Sequence, residues 1–89
     1  MVIGAGEAGN IIITEMKTSR HLNRNVVCVI DDNPSKKGKY IRGVRIVGDR
    51  TQIKGCAKKY NVDEIILAIP SASPKDTREI LRICNETDC

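Results

Sequence analysis

The sequence predicts an α/β domain in which a parallel sheet of about four strands lies between two layers of helices. Short apolar runs rich in Val and Ile alternate with stretches whose apolar residues recur at helical spacing, in the order β-α-β-loop-β-α-β-α. Helices that connect consecutive strands favour parallel pairing and right-handed crossovers. A glycine-rich segment, residues 4–9, joins the first strand to the first helix. We therefore predict a Rossmann-like three-layer α/β/α domain over residues 1–89, with strand order 3-2-1-4.

The glycine-rich segment has the spacing G-x-G-x-x-G and follows a short apolar strand, residues 1–3. In such a loop the first glycine permits a tight turn, the second lets the backbone approach a pyrophosphate, and the third lets the helix pack closely on the strand. The unpaired N–H groups of the helix N-terminus would face the phosphates. The open alternative is a glycine turn needed only for packing. The predicted ligand contacts are all six residues of the segment: Gly4, Ala5, Gly6, Glu7, Ala8 and Gly9.

The first helix is expected over residues 8–19, where Ile12, Ile13 and Met16 recur at the spacing of one helical face. The second strand is expected over residues 26–30. Its nearly continuous run of Val and Ile is typical of a parallel strand buried on both faces.

An acidic pair, Asp31 and Asp32, follows the second strand, and both are predicted ligand contacts. Asp31 comes about twenty residues after the glycines, where an acid can accept a hydrogen bond from a ribose 2′-hydroxyl. That contact would favour NAD over NADP, because a 2′-phosphate would meet the carboxylate. The alternative is that Asp31 only starts the turn of residues 31–35, which is dense in turn-forming residues.

A basic stretch precedes the third strand, which is predicted over residues 43–48 with the lone Arg45 favouring a sheet edge. Much of the formal net charge of +4 comes from this region. Three interpretations stay open: a solvated loop, a patch that helps to hold a ligand's phosphates or a partner, and a nucleic-acid surface. We expect no nucleic-acid partner, because the chain has no Trp or Phe and only two Tyr to stack on bases. The basic residues are Lys36, Lys37, Lys39, Arg42 and Arg45.

The second half of the chain contains two helices and the fourth strand. Asp49 is a predicted N-cap of the second helix, and Asn61 is predicted to end it in a left-handed conformation. The fourth strand is predicted over residues 64–69. Ser73 is the predicted N-cap of the third helix, with Pro74 at the first helical position.

The predicted strand order places two loops at one crevice, beyond the carboxyl ends of strands 1 and 4, where the chain direction switches. The glycine loop then lies beside the loop after the fourth strand, in which Pro70 and Ser71 are the remaining predicted contacts. The Ser71 hydroxyl could touch a phosphate or a carbonyl group. We thus predict a site for NAD, or for another nucleotide such as CoA or a UDP-sugar.

Catalytic and metal-binding patterns are not found. The single histidine, His21, lies at the far end of the first helix from the crevice, and the sequence has no Tyr-x-x-x-Lys pair and no serine nucleophile elbow. The four cysteines form no C-x-x-C pair, so a zinc site is not expected, and we interpret them as reduced thiols of a cytosolic domain. No apolar run approaches the roughly 20 residues that cross a bilayer. The domain is therefore expected to bind a ligand without transforming it.

Four blocks of sequence, residues 3–9, 29–34, 38–44 and 63–71, carry a distinctive combination of the glycine loop, the acidic pair and the loop after the fourth strand. Together and in this order they resemble the amino-terminal nucleotide-binding domain of bacterial polysaccharide-biosynthesis proteins. These are membrane-anchored nucleoside-diphosphate-sugar epimerases and 4,6-dehydratases that make capsule or O-antigen sugars.

The resemblance implies that the chain is a fragment of a longer protein, lying on the cytosolic (cytoplasmic) face of a membrane-anchored parent. It implies that dehydratase or epimerase chemistry belongs to a separate short-chain-dehydrogenase domain, which would be the partner of this one. Assembly into a homo-oligomer is a further expectation left open. Two alternatives also stay open: a regulatory module that binds NAD, CoA or a nucleotide-sugar, and the amino-terminal domain of a sugar acetyltransferase.

Overall fold

The computed structural model describes residues 1–18 and 25–89, and in these residues it contains five strands and three α-helices. The strands are β1 (Val2–Ile3), β2 (Val29–Ile30), β3 (Tyr40–Ile41), β4 (Val44–Gly48) and β5 (Ile66–Leu67). The helices are α1 (Glu7–Thr18), α2 (Ile53–Lys59) and α3 (Pro74–Asn85). Two short 3₁₀ turns lie between them, at Pro34–Lys36 and Arg50–Gln52. His21 lies outside the described residues.

The five strands form one sheet in the order β3-β4-β2-β1-β5. Strands β4, β2, β1 and β5 pair in parallel, so the predicted order 3-2-1-4 is confirmed for the parallel part of the sheet. The predicted number of strands was one too few, because β3 pairs antiparallel with β4. We predicted from Arg45 that its strand, β4, lies at a sheet edge. This prediction is wrong, because β3 pairs with the outer side of β4.

A two-residue turn at Arg42 and Gly43 creates the extra strand. The φ angles of these residues are 50° and 81°, which is the type of turn that joins two antiparallel strands with the correct twist. The turn is held on α1, because Arg42 Nε donates to Asn10 Oδ1 at 2.7 Å and Lys17 Nζ donates to the Arg42 carbonyl. One residue of the predicted basic stretch thus ties the hairpin to the first helix.

The parallel strands are shorter than the sequence predicts. Backbone bonds flank the β1–β2 pairing from Val2 N to Cys28 O (3.2 Å) and from Gly4 N to Ile30 O (2.7 Å). Residues 26–27 lie outside this ladder, and Val27 is 44% exposed. The predicted strand of residues 26–30 is therefore buried on both faces at residues 28–30, but not at residues 26–27.

Helices cover both faces of the sheet, which confirms the predicted three layers. On one face Ile13 of α1 packs in a cluster with Val2, Val29 and Ile46. On the other face α2 and α3 pack against Ile3 and Ile30 in a second cluster. Neighbouring residues of β1 and β2 thus point into opposite cores, as expected of parallel strands buried on both sides.

Two of the three predicted helix boundaries in the second half of the chain agree with the structure, and the one at Asp49 is wrong. Asp49 accepts a hydrogen bond from Thr51 N at 2.9 Å, although it caps the 3₁₀ turn that leads into α2 rather than α2 itself. Asn61 has the left-handed φ of 51°. Ser73 Oγ accepts a hydrogen bond from Asp76 N at 3.1 Å, which satisfies one of the free N–H groups at the start of α3.

The cysteine thiols differ strongly in their surroundings. Cys28 and Cys56 are buried, Cys84 is half-buried and Cys89 is exposed. Burial raises the pKa of the Cys28 thiol to about 11.

We expect the native domain to react with a thiol reagent at pH 8 first at Cys89. A thiol with a pKa near 11 keeps only about one molecule in a thousand as the reactive thiolate at that pH, and Cys28 is also shielded sterically. Mass spectrometry after brief iodoacetamide labelling measures the order, and labelling in urea gives the fully reactive control. Rapid modification of Cys28 in the folded domain would contradict its placement in the core.

Candidate functional site

A cavity of about 540 Å³ lies beyond the carboxyl ends of β1, β2 and β5, next to the first turns of α1 and α3. Its position is the one predicted from the strand order. The loops that meet there are distant in sequence and are brought together by the sheet. The lining residues are Ile3, Gly4, Gly6, Glu7, Ala8, Ile11, Ile30, Asp31, Asp32, Lys36, Arg50, Ala68, Ile69, Pro70, Ser71, Ala72, Asp76 and Ile80.

Gly4 and Gly9 are required by the close packing of the loop. Gly4 has a φ of +117°, and a Cβ atom there would lie 2.2 Å from the Ala68 carbonyl oxygen. A Cβ atom on Gly9 would lie 1.9 Å from the Gly4 carbonyl oxygen. The backbone therefore turns at Gly4 and α1 approaches the loop at Gly9, which are the packing roles predicted for the first and third glycines.

Gly6 has a different environment. A Cβ atom at this position would meet nothing within 4 Å, and Gly6 lines the cavity. The hydrogen bond from Asn10 N to Gly6 O, at 3.0 Å, closes the first turn of α1. The backbone N–H groups before Asn10 precede the regular hydrogen bonds of the helix. An anion at the helix N-terminus can therefore accept hydrogen bonds from them. The predicted phosphate contact at Gly6 stays a prediction.

Asp31 connects the end of β2 to the glycine loop. Its Oδ2 accepts a hydrogen bond from Ala5 N at 2.8 Å, and its Oδ1 accepts one from Asn33 N at 2.9 Å. The second bond is the turn-starting role that the sequence left open. Each carboxylate oxygen has a second lone pair and Asp31 lines the cavity, so a ribose hydroxyl can still be accommodated.

Asp32 pairs with an arginine that the sequence analysis missed. Arg50 donates to Asp32 Oδ2 from Nε at 3.0 Å and from Nη2 at 2.8 Å, and the Arg50 backbone N–H donates to Asp32 Oδ1 at 2.9 Å. Arg50 Nη2 also donates to Asp76 Oδ1 at 3.1 Å. We call this group of three residues the Arg50 clasp. It joins the loop after β2, the turn after β4 and the first turn of α3 at the mouth of the cavity.

The charges of the clasp stabilise one another. The hydrogen bond to Asp32 is the largest cause of a raised pKa of the Arg50 guanidinium. The hydrogen bonds from Arg50 and then Ser73 lower the pKa of the Asp76 carboxyl. Asp76 and Arg50 are therefore charged at neutral pH, and the guanidinium is shared between two acidic side chains.

An apolar wall completes the cavity, and most of it was also missed. Ile11 of α1, which is 58% exposed, lines the cavity, as do Ile69 and Ile80. The helical periodicity of α1 could have indicated Ile11 only if the site had already been located, because an exposed isoleucine is ordinary on a protein surface.

The structure brings most of the sequence-predicted contacts to the cavity. Gly4, Gly6, Glu7, Ala8, Asp31, Asp32, Pro70 and Ser71 line it, whereas Ala5 and Gly9 do not. Ala5 contributes through its N–H bond to Asp31, and Gly9 through its close contact with Gly4. In residues 1–18 and 25–89, no group of three or more His, Cys, Asp or Glu side chains is arranged to hold a metal ion.

Strand order, helices on both faces and a cavity at the switch point together define a Rossmann-like domain of the nucleotide-binding class. All of residues 1–89 match the model of the family described as the CoA-binding domain. The chain belongs to this family.

Two curated relatives work in polysaccharide biosynthesis according to their names. The chain is 36% identical over 86 residues to the capsular polysaccharide biosynthesis protein CapD of Staphylococcus aureus, over 96% of this chain. It is 26% identical over 87 residues to the probable polysaccharide biosynthesis protein EpsC of Bacillus subtilis (strain 168), over 98% of this chain. In both cases the chain spans only 14% of the relative's length.

Two solved structures share the fold. The UDP-D-quinovosamine 4-dehydrogenase of Vibrio fischeri superposes with a TM-score of 0.86 over 96% of this chain and 67% of that chain, at 24% identity. A protein named RSP, solved in complex with β-NADH, superposes with a TM-score of 0.71 over 92% of this chain and 39% of that chain, at 28% identity. No helix in the described part of our chain is long and apolar enough to cross a membrane.

Proposed function

We propose that this chain is a nucleotide-binding domain and that NAD is the ligand its cavity fits best. The diphosphate would lie at the N-terminus of α1 beside Gly6, and a ribose would lie at the end of β2 beside Asp31. The observation that carries the proposal is the convergence of the glycine loop, Asp31 and Ser71 on one cavity of about 540 Å³. A cavity of that size falls in the range typical of small-molecule sites.

Two further observations support this assignment. The domain has the fold of RSP, whose structure contains β-NADH, at 28% identity. The described lining residues include no histidine, cysteine or tyrosine, and most of the carboxylates and cations that they do include lie beside one another in ion pairs. We therefore propose a domain that binds its ligand without transforming it.

The same proposal extends to the protein in which the domain works. The relatives CapD and EpsC are about seven times longer than the matched region, since it spans 14% of each. We propose that the domain acts on the cytosolic face of a longer polysaccharide-biosynthesis protein. A separate short-chain-dehydrogenase domain would there carry out the dehydratase or epimerase reaction on a nucleoside-diphosphate-sugar.

Thermal unfolding of the 89-residue chain against NAD, NADP, coenzyme A, UDP, GDP and UDP-N-acetylglucosamine tests the proposal. A ligand present at about 100 times its Kd should stabilise the fold by roughly 2.7 kcal/mol. For a domain of this size the midpoint should rise on the order of ten degrees. We expect the largest rise with NAD. No rise with any of the six compounds would contradict a nucleotide-binding function.

A further inference from the structure

The cavity is acidic for a site that holds phosphates. Its described lining carries four carboxylates against two cationic groups, so the ionised side chains sum to −2. Two of the acids, Asp31 and Asp32, follow β2 directly, at the place where a ribose is expected. The full chain, by contrast, has a net charge of +4, so the acidity is a local property of the cavity.

Both cations of the cavity lie beside its carboxylates, and Arg50 is held much more closely than Lys36. Lys36 Nζ lies 3.9 Å from Asp31 Oδ2 and 3.5 Å from the Ala5 carbonyl oxygen. The Arg50 guanidinium donates to Asp32 Oδ2 and to Asp76 Oδ1 within the Arg50 clasp. The Arg50 side chain is 24% exposed, whereas those of Asp32 and Asp76 are 41% and 51% exposed, so the two acids can meet a ligand in the cavity. To pair with Arg50, a phosphate group on the ribose would have to replace Asp32. The negatively charged Asp32 carboxylate would then lie next to the negatively charged phosphate.

Coenzyme A, the ligand in the family's name, is a poor fit to these charges. Its adenosine carries a 3′-phosphate in addition to the diphosphate, and NADP likewise carries a 2′-phosphate. NAD and dephospho-coenzyme A lack these groups and have free ribose hydroxyls, which can donate hydrogen bonds to carboxylates. The acidic end of the cavity favours the hydroxyls and repels the additional phosphate.

We propose that the Arg50 clasp makes this site disfavour coenzyme A, the ligand in the family's name, because the phosphate on its ribose would meet Asp32 and Asp76. The inference rests on the proposed nucleotide-binding function. Selectivity comes from repulsion by Asp32 and Asp76, which among the described residues share one cationic partner, Arg50.

Two pairs of compounds that differ by one phosphate test the inference by calorimetry on the 89-residue chain. The pairs are NAD with NADP and dephospho-coenzyme A with coenzyme A. In each pair that binds, we expect the phosphorylated compound to bind at least about tenfold more weakly at low salt, from the repulsion of close charges. The ratio of the two dissociation constants in a pair should shrink at about 1 M salt, where charges are screened beyond about 3 Å.

A pair of matched variants separates charge from shape. Asp32→Asn removes one carboxylate from the clasp and should raise the affinity for the phosphorylated compound several-fold relative to its partner. Asp63→Asn makes the same change of charge at an exposed position before β5, at the amino ends of the strands, and should leave the ratio unchanged.

Three outcomes would overturn the inference. Coenzyme A binding as tightly as dephospho-coenzyme A would show that the site binds nucleotides without selectivity. If neither salt nor Asp32→Asn changes the ratio of the dissociation constants, the shape of the cavity and not its charge excludes the phosphate. If neither NAD nor dephospho-coenzyme A binds, the inference fails, and UDP-N-acetylglucosamine in the same series decides whether the nucleotide-binding function fails with it.

Discussion

Gly9→Ala is expected to destabilise the domain by about 3 kcal/mol or more, which exceeds the usual cost of an overpacked site. The new Cβ atom would lie 1.9 Å from Gly4 O and 2.9 Å from Gly4 C. Both are backbone atoms, and the Gly4 N–H is bonded to Ile30 O at 2.7 Å, so the loop cannot rotate away as a side chain would. The helix α1 must instead move off the sheet, and Ile13, now fully buried, must lose contacts. Against a total stability of about 4–13 kcal/mol for 89 residues, this loss is large.

Urea unfolding followed by far-UV circular dichroism measures the loss, and Gly55→Ala supplies the matched control. Gly55 also lies in a helix, α2, but it is exposed and a Cβ atom there would meet nothing within 4 Å. Alanine should therefore stabilise α2 by about 0.5–1 kcal/mol, because it restricts the unfolded chain and favours the helix. If Gly9→Ala cost less than about 1 kcal/mol, the close approach of α1 to the loop would not be needed for stability.

The parallel part of the fold was predictable because local signals and topology agree. The run of Val and Ile around Cys28 at residues 26–30, the cap at Ser73 and the left-handed Asn61 each depend on a few neighbouring residues. Right-handed crossovers and the chain order then leave few arrangements of four parallel strands. The glycine loop and the loop after β5 could be placed at one crevice by this topology alone.

The hairpin β3–β4 was missed because its turn lacks the strongest sequence signal. Two-residue turns of this kind favour Asn-Gly or Asp-Gly, whereas the turn here is Arg42-Gly43. The basic residues around it resemble a solvated loop. Contacts with Asn10 and Lys17, which are far away in sequence, hold the turn in place, and no local pattern encodes them.

The Arg50 clasp escaped prediction for a related reason. Asp32, Arg50 and Asp76 lie in three segments that are distant in sequence, namely the loop after β2, the 3₁₀ turn after β4 and the first turn of α3, and each has an ordinary local role there. Their ionic contacts exist only after the sheet has placed the three loops at one edge. Asp32 was predicted as a ligand contact for its position after β2, and the structure adds the arginine with which it pairs. The sequence thus placed the loops around the cavity but did not reveal the charge balance of its lining.

Gly6→Val is expected to abolish nucleotide binding while the fold survives. No atom lies within 4 Å of a Cβ placed at Gly6, and the residue does not have the positive φ of Gly4, so a side chain can be accommodated. Valine would occupy the space beside the first turn of α1, where the diphosphate must approach the free N–H groups. Loss of two hydrogen bonds to a charged phosphate corresponds to a binding constant weaker by about 100-fold or more. Calorimetry with NAD measures the affinity, and thermal unfolding without ligand measures the fold.

Gly55→Val is the control for this variant, because it introduces the same side chain at a glycine that also has open space around it but lies in α2, away from the cavity. It should leave the affinity for NAD unchanged. An unchanged affinity in Gly6→Val as well would show that NAD binds without using the loop, which would remove the main support for the proposed site. A variant that binds weakly but also unfolds at lower temperature would assign Gly6 to the fold, with Gly4 and Gly9. Only weak binding with an unchanged midpoint separates the role of Gly6 from the packing roles of the other two glycines.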